Sequence, residues 1–438
     1  MKRLLTLVLL LLAGPALGAS KYVSNSCLNN GDGLGLGCAT TVGGTGAYND
    51  LQVAFNNLVA GDTLFIRTGT GSYVTSYNPT GSGGTSEAYY HGGFHLDAHG
   101  GTAGSPITVK LYPGDTVPII ANCEITKTTY CPNPTITAFA HDYITFDGLT
   151  VVGSFNIYGA GNYALGQTPS TNITIANCNI SEGWGGPGDG NWAGVFLQDE
   201  DNVYMHHNFI HDIEIPAAAA AGAGQQSSGS QIKVYRNRTS LFEYNTLKRT
   251  NITSPATTQA GGIDDKDGPV NNEYRYNWIE DVPTCFRLNN QGNSVGVKIH
   301  HNVCISTTTA GYSNGVRQLS GVNAASNFLF YNNTIFNTYD SGIDWASSTG
   351  SSAYNNIISP RVGAPAGQAI GTVLTSTTAL NLLDYNNYAP TTREWQVPRF
   401  TRYNTLAAWR TASGKDAGAL NVDCQFASAP SPYSSSST

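Results

Sequence analysis

The chain has 438 residues, a formal net charge of -7 and only 12% charged residues. This balance gives no indication of a general nucleic-acid or membrane-surface partner, although a local basic patch remains compatible with it. The sequence holds 50 glycines, 24 tyrosines and two methionines, together with many Asn, Ser and Thr residues. Such a composition is atypical of helical proteins and favours an all-β fold with a large core.

The N-terminus has the pattern of a signal peptide. Lys2 and Arg3 precede an apolar run over residues 4–12, and small residues follow at positions 16–18. The run is too short to span a bilayer, which takes roughly 18 apolar residues, and no later stretch reaches that length. We therefore expect residues 1–18 to be removed and the mature protein to be secreted, extracellular or periplasmic, as a monomer without a membrane span.

Eight cysteines are compatible with an oxidising compartment. Three pairs are close enough in sequence to bond locally: Cys27 with Cys38, Cys123 with Cys131, and Cys285 with Cys304. Their spacing leaves the connectivity open, and none has the C-x-x-C spacing of a zinc site. Cys178 lies inside an apolar strand pattern, which predicts a buried structural thiol.

Internal repetition is the strongest fold signal. Segments such as "NITIANCNI", "SLFEYNTL" and "FLFYNNTI" alternate apolar residues and then place a small polar residue before another apolar pair. The positions interpreted as equivalent are Gly148, Cys178, Asn208, Asn245, Asn277, Asn302, Asn333, Asn356 and Asn387, at intervals of 23 to 37 residues. A repeat this short cannot bury its apolar face alone and must stack on its neighbours. The sequence therefore predicts an all-β, single-stranded right-handed parallel β-helix.

The repeated asparagines and both ends of the chain fit this solenoid. Inward amides at successive corners can hydrogen-bond to the backbone and to each other, so we expect a structural asparagine ladder. Residues 19–425 are expected to form the β-helix domain, with a short N-terminal helix as a cap and a closing C-terminal segment. The serine-rich residues 426–438 are expected to be disordered.

Alignment of the repeats on the asparagine position predicts a row of charged side chains on one outer face. Its members are Asp199, Arg236, Lys266, Arg287 and Arg317. Neighbouring cations in such a row repel each other, so an acidic linear polymer in the groove would compensate them. The alternative is that nearby acidic residues neutralise the row: Asp264, Asp265, Asp267 and Glu273.

Lys266, the strand "EYRYNWI" and Arg287 resemble the arrangement in family-six polysaccharide lyases, which include chondroitinase B and alginate lyases. The resemblance covers the solenoid loosely and this pair more closely. It implies β-elimination at a uronic acid of an acidic polysaccharide, with neutral Lys266 removing the proton at C5. Arg287 would stabilise charge on the carboxylate or assist the departing oxygen, and Arg236, Arg317 and Asp199 would bind substrate. The base must have a lowered pKa, and a guanidinium one coil away acts in that direction.

The resemblance also implies a calcium ion that neutralises the substrate carboxylate. The acidic ligands that the family carries shortly before the lysine are replaced here by Gln259 and Gly261. Asp264 or Asp265 could supply oxygen ligands instead, with Asp199 from an earlier coil. The alternative is that "DDKDGP" forms a turn, because Asp, Gly and Pro are typical turn residues.

Two histidine pairs fall on the repeated strand, and alternation sends the two members of each pair to opposite faces. They are His206 with His207, and His300 with His301. Ordinary stacking is therefore favoured over metal ligation. Two other functions stay open: a β-helical glycoside hydrolase with paired carboxylates such as Asp199 and Asp264, and a non-catalytic carbohydrate-binding or adhesin solenoid.

Overall fold

The computed structural model of the chain is a right-handed parallel β-helix, which confirms the fold that the repeats predict. It describes residues 18–69, 71–75, 93–96, 100–116, 119–122, 135–159, 169–181, 193–213, 229–249, 261–289, 294–306, 314–319, 325–346, 348–361, 370–389, 392 and 394–424. Three long sheets run along the solenoid, and each sheet receives one strand per coil. Among the described residues, no helix is both long enough and apolar enough to cross a bilayer.

The strands of each sheet pair in parallel with their equivalents on neighbouring coils. Sheet 1 contains β1 (Ser20–Val23), β2 (Thr63–Ile66), β5 (Ile107–Leu111), β8 (Ile144–Asp147), β12 (Ile173–Ala176), β16 (Tyr204–His206), β19 (Leu241–Glu243), β22 (Glu273–Arg275), β25 (Lys298–His300), β29 (Leu329–Tyr331), β33 (Ser352–Tyr354) and β36 (Leu382–Asp384). Sheet 2 contains β3 (Tyr73–Thr75), β6 (Ile119–Asn122), β9 (Thr150–Val152), β13 (Asn179–Ser181), β17 (Phe209–His211), β20 (Thr246–Lys248), β23 (Trp278–Glu280), β26 (Val303–Ile305), β30 (Thr334–Thr338), β34 (Ile357–Pro360) and β37 (Asn387–Tyr388).

Sheet 3 carries the candidate site. It contains β4 (Phe94–Leu96), β7 (Ile136–Phe139), β10 (Phe155–Tyr158), β14 (Ala193–Gln198), β18 (Ser230–Tyr235), β21 (Ile263–Lys266), β24 (Thr284–Asn289), β27 (Asn314–Leu319), β31 (Ser341–Trp345), β35 (Ile370–Leu374), β38 (Glu394–Gln396) and β39 (Arg402–Tyr403), the last paired antiparallel to β38. Two short strand pairs lie at corners: β11 (Ser170–Thr171) with β15 (Glu200–Asp201), and β28 (Ala325–Ser326) with β32 (Ser348–Thr349).

Both ends of the solenoid have a short helix. Helix α1 (Leu51–Asn56) packs against β1 and β4, the end strands of their sheets, and buries Leu51 and Phe55. Asp50 begins this helix, because its carboxylate accepts hydrogen bonds from the backbone of the first turn. Helix α2 (Leu406–Ser413) packs against β38 and β39 and buries Trp409 completely.

The asparagine ladder is present at the corner between sheets 1 and 2. Its rungs are Asn208, Asn245, Asn277, Asn302, Asn333, Asn356 and Asn386. In a typical rung, the Asn245 amide donates to the Asn277 side chain at 3.0 Å and to the Met205 carbonyl at 3.0 Å. Each amide thus satisfies buried backbone and side-chain groups of its neighbours, which is a structural role.

Two of the positions interpreted as equivalent were wrong by one residue. The ladder ends on Asn386 and not on Asn387, since Tyr354 pairs with Asp384 and one left-handed residue follows each of them. At the other end, the Leu149 carbonyl accepts a backbone hydrogen bond from Asn179 on the next coil, just as the Cys178 carbonyl accepts one from Phe209. Leu149, and not Gly148, is therefore the equivalent of Cys178. Gly148 occupies the left-handed corner position, with φ 71°.

The histidine pairs also differ from the prediction of opposite faces. His207 and His301 leave the strand conformation, with φ 54° and 55°, and so turn toward their neighbours. The two ring Nδ1 atoms are 2.9 Å apart between His206 and His207, and 2.8 Å apart between His300 and His301. Within the described residues, no group of three or more His, Cys, Asp or Glu side chains is arranged to hold a metal ion.

Two of the three predicted disulfides are formed. Cys27 bonds to Cys38, and Cys285 bonds to Cys304 across sheets 3 and 2. Cys123 and Cys131 lie outside the described residues, as do most of the predicted signal peptide and the serine-rich tail. The thiol of Cys178 is buried, and burial raises its pKa to about 12, so this cysteine is inert as predicted.

Glu200 on β15 is a buried carboxyl whose two oxygens have no hydrogen-bond partner in the described part of the chain. Burial, and then the nearby Asp142, Asp199 and Asp201, raise its pKa well above the usual range. As the pH rises through the pKa that Glu200 has in the unfolded chain, the unfolded state loses this proton but the folded state keeps it. The free energy of unfolding therefore falls with increasing pH.

We expect Glu200→Gln to remove this loss. Its free energy of unfolding should exceed that of the wild type by an amount that grows by about 1.4 kcal/mol per pH unit from the unfolded pKa of about 4.3 up to the raised pKa of the folded state, and is constant above that. Denaturant unfolding of both proteins between pH 4 and pH 8 measures the difference. A difference that does not change with pH would show that Glu200 is not held protonated.

Candidate functional site

The outer face of sheet 3 carries a column of charged side chains, here called the charged column. Its members stand in register on five neighbouring coils: Lys233, Asp264, Arg287, Arg317 and Asp344. Their flanking residues, such as Ile263 and Ile343, are buried in the core, because consecutive residues of a strand point to opposite faces. The charged column therefore projects outward from the coil.

Lys266 lies beside the charged column. It follows Asp264 by two residues on β21 and so projects from the same outer face. Its ammonium nitrogen lies 4.4 Å from the ring centroid of Tyr235, its register partner on the previous coil. Arg287 lies on the next coil, in register with Asp264. Relative to Lys266, it is one strand spacing of about 4.8 Å across the sheet and two residues back along the strand. Lys266 and Arg287 are thus diagonal neighbours on adjacent coils.

Asp264 is shared by two cations. Its Oδ2 lies 3.5 Å from the Lys233 ammonium and 3.4 Å from Nη1 of Arg287. Lys233 and Asp264 are completely buried, and Arg287 is 7% exposed. Burial lowers the pKa of Lys233 to about 8; Asp264 opposes this shift, whereas Lys266 and Arg287 add to it. The cluster therefore holds two cations around one carboxylate in a region largely shielded from water, and Lys266 and Asp267 act on it electrostatically from beside it.

Arg287 and Arg317 face each other directly on adjacent strands. Like charges in register repel, and Asp264 and Asp344 lie on the outer sides of this pair rather than between its members. Nε of Arg317 lies 3.4 Å from the Asp344 carboxylate, and its side chain remains 29% exposed. The arrangement leaves the Arg317 guanidinium partly open to solvent one coil beyond Arg287, which suits an anionic ligand.

Asp199 and Arg236 lie on the same side of the solenoid but outside the charged column. Both have left-handed backbone conformations, with φ 57° and 54°, at the corner that follows sheet 3. Arg236 donates two hydrogen bonds of 2.6 Å to the Asp199 carboxylate. The single row predicted from the asparagine alignment thus splits into neighbouring columns, with these two residues paired to each other at the corner.

Asp265 points into the coil and not toward the groove. It is 1% exposed, and its carboxylate accepts hydrogen bonds from the Tyr274 hydroxyl at 2.5 Å and the Asn272 amide at 3.3 Å. Burial raises its pKa to about 7. Asp264 and Asp265 therefore do not fit a calcium site together, because they face opposite sides of β21 and Asp264 lies between two cations.

Lys233 is the member of the cluster that the sequence analysis missed. The asparagine alignment counts residues back from the corner between sheets 1 and 2. Insertions of different length separate that corner from sheet 3, so equal counts do not identify equivalent residues of sheet 3. Each strand of the site has an inward apolar residue just before its charged residue. An alignment on that apolar residue brings Lys233, Asp264, Arg287 and Arg317 together, from the segments "QIKVY", "GIDDK", "CFRLN" and "GVRQL". That local pattern was the available signal.

No protein-family model and no curated protein matches the sequence. Solved structures with a similar fold include a complex of XylC with xylose, at 9% identity and a TM-score of 0.49, covering 93% of this chain and 86% of that one. A GH136 lacto-N-biosidase from Eubacterium ramulus aligns at 14% identity and a TM-score of 0.43, over 85% of this chain and 60% of that one. An alginate lyase from Paenibacillus sp. str. FPU-7 aligns at 13% identity and a TM-score of 0.42, over 80% and 97%.

These resemblances concern the shape of the solenoid. The chain spans 60% of the length of the lacto-N-biosidase. With TM-scores below 0.5, the alignments carry no conclusion about activity or substrate. The chain is a parallel β-helix protein with a cationic outer face, and its function has to be inferred from the chemistry of that face.

Proposed function

We propose that this protein is a secreted lyase that cleaves an acidic, uronate-containing polysaccharide by β-elimination. The observation that carries the proposal is the cationic position formed by Lys266, Arg287 and Arg317 on one outer face. A solenoid face presents an extended surface suited to a linear polymer. Carboxylates spaced along that polymer would compensate the direct Arg287–Arg317 repulsion.

In the proposed reaction, neutral Lys266 takes the proton at C5 of a uronate residue, and the C4–O glycosidic bond breaks. The electron pair forms a C4–C5 double bond, and the departing oxygen takes up a proton. Arg287 stabilises the negative charge that develops on the carboxylate as the proton leaves, and Arg317 binds substrate further along the face. Lys266 suits the base role better than Lys233, because Lys233 is completely buried.

The hydrolase alternative has weaker support. Asp199 lies on the coil of β14 and Asp264 on that of β21, two coils away in sheet 3. Two coil spacings already amount to about 10 Å, beyond the roughly 6.5 to 9.5 Å of an inverting carboxylate pair. Asp199 is also held by Arg236 and Asp264 by Lys233 and Arg287, and both carboxyl groups are buried, so neither is presented to a substrate.

The distinguishing experiment is incubation of the mature protein with alginate, pectate and chondroitin, each with and without a chelator. A lyase produces unsaturated ends that absorb in the ultraviolet, whereas a hydrolase produces saturated reducing ends. We expect unsaturated product from at least one of these polymers. Affinity for a polymer without any product would instead support the carbohydrate-binding or adhesin alternative, and would overturn the proposed activity.

A further inference from the structure

The hairpin between β38 and β39 lies at the far end of the charged column. Arg399 in this hairpin forms an ion pair with Asp344 on β31, although β38 is two strands further along sheet 3. The Arg399 side chain therefore reaches across the outer face of β35 to β31. A polymer that runs along the face from Lys266 toward the C-terminal end meets this hairpin.

The hairpin brings an aromatic ring and a second guanidinium to that point. Arg399 and Arg317 share the single carboxylate of Asp344, and their side chains are 31% and 29% exposed. Asp340 also interacts electrostatically with both guanidiniums, so two carboxyls accompany the two cations, and the group offers a ligand its partly exposed guanidinium donors rather than a net charge. Phe400, the next residue in the hairpin, is 81% exposed. Cationic donors beside an open aromatic ring match the two sides of a uronate residue, which has a carboxylate and an apolar ring face.

We infer that Arg317, Arg399 and Phe400 form a terminal subsite that binds the last uronate residue of the polymer. The inference rests on the proposed function for the identity of the ligand. Three coil steps separate β21, which carries Lys266, from β31, which carries Asp344. At about 4.8 Å per step this distance is about 14 Å, which accommodates roughly three sugar residues. The protein would therefore release short oligosaccharides from one chain end.

Phe400 permits a test that separates binding from folding. Its backbone has φ 79°, a left-handed conformation that is unfavourable for a bulky residue and easy for glycine. Phe400→Gly thus removes the ring and relieves the backbone at the same time. Tyr385 offers a matched control, because it is 62% exposed with φ 55° at the corner after sheet 1, on another side of the solenoid.

The experiment measures the affinity of the full chain for oligosaccharides prepared from alginate, pectate and chondroitin by calorimetry, together with the product sizes and the melting temperature. We expect Phe400→Gly to weaken the binding of the preferred oligosaccharide about three- to tenfold and to lengthen the products. Tyr385→Gly should change neither. Both variants should melt close to the wild-type temperature, since the relief of backbone strain offsets the larger conformational entropy that glycine gives the unfolded chain.

The outcomes distinguish the subsite from the proposed activity. Tight binding that depends on Phe400, without unsaturated product, would support the subsite and overturn the lyase. Cleavage with affinities and product sizes that are the same in Phe400→Gly and Tyr385→Gly would support the lyase and overturn the subsite. A protein that binds none of the three acidic oligosaccharides overturns the subsite as well.

Discussion

Lys266→Ala is expected to reduce eliminative cleavage by about 10²- to 10⁴-fold, because no other described side chain on the outer face combines an amine with access to solvent beside Arg287. Lys233 cannot substitute for it, since that lysine is completely buried. The measurement is the initial rate of ultraviolet absorbance with the preferred polymer. The variant should keep its fold, because Lys266 is only partly buried and its ammonium group lies over the Tyr235 ring on the surface of the sheet.

Lys248→Ala is the matched control for this substitution. Lys248 lies on β20 in sheet 2, pairs with Glu280 at 2.8 Å and is partly exposed, so it has a similar environment on a different face. We expect its rate to stay within about twofold of the wild type, as for most surface substitutions. Cleavage by Lys266→Ala at the wild-type rate would eliminate this residue as the base.

The fold was predictable because the solenoid repeats one physical solution. Each coil needs inward apolar residues and a satisfied polar corner, and both recur in the sequence as alternating residues followed by asparagine. The exact residue at each ladder position was harder to predict from the sequence. The ladder residue follows one left-handed residue at each corner, but the residue types do not mark which is which: Asn355 is left-handed before Asn356, whereas Tyr385 is left-handed before Asn386 and Gly148 before Leu149.

The candidate site was predictable in part. Lys266 and Arg287 were correctly expected on adjacent coils of one outer face, because their spacing matches one repeat. In "DDKDGP", the turn begins only at Asp267, which has φ 61°, and the preceding residues form β21. Consecutive strand residues then point in opposite directions, so Asp264 faces outward and Asp265 inward. Turn propensity alone could not distinguish these cases, because tertiary stacking overrides it.

Asp264→Asn is expected to destabilise the fold by about 3–5 kcal/mol at neutral pH, because it leaves two buried cations without their shared carboxylate. Asp264 raises the pKa of Lys233 against the effect of burial, so its removal lowers that pKa below about 8. The loss should therefore shrink as the pH rises and Lys233 becomes neutral in the folded state. Denaturant unfolding at pH 6 and pH 9 measures both effects.

An exposed pair provides the matched comparison for this result. Asp201 and Arg238 form an ion pair with N–O distances of 2.9 Å, but their side chains are 23% and 38% exposed. We expect Asp201→Asn to cost less than about 1 kcal/mol, because water solvates the cation that remains. Equal costs for the two substitutions would show that burial does not determine the energetics of the cluster.

A double-mutant cycle then isolates the interaction of Asp264 with Lys233. Lys233→Met replaces the buried amine by an apolar chain of similar length, so the double variant removes both charges and leaves only Arg287 without its partner. We expect its free energy of unfolding to exceed the additive value by about 1–3 kcal/mol. Such a result would mean that Asp264 and Lys233 stabilise each other in the folded state. Additive costs would place Lys233 outside the cluster that Asp264 stabilises.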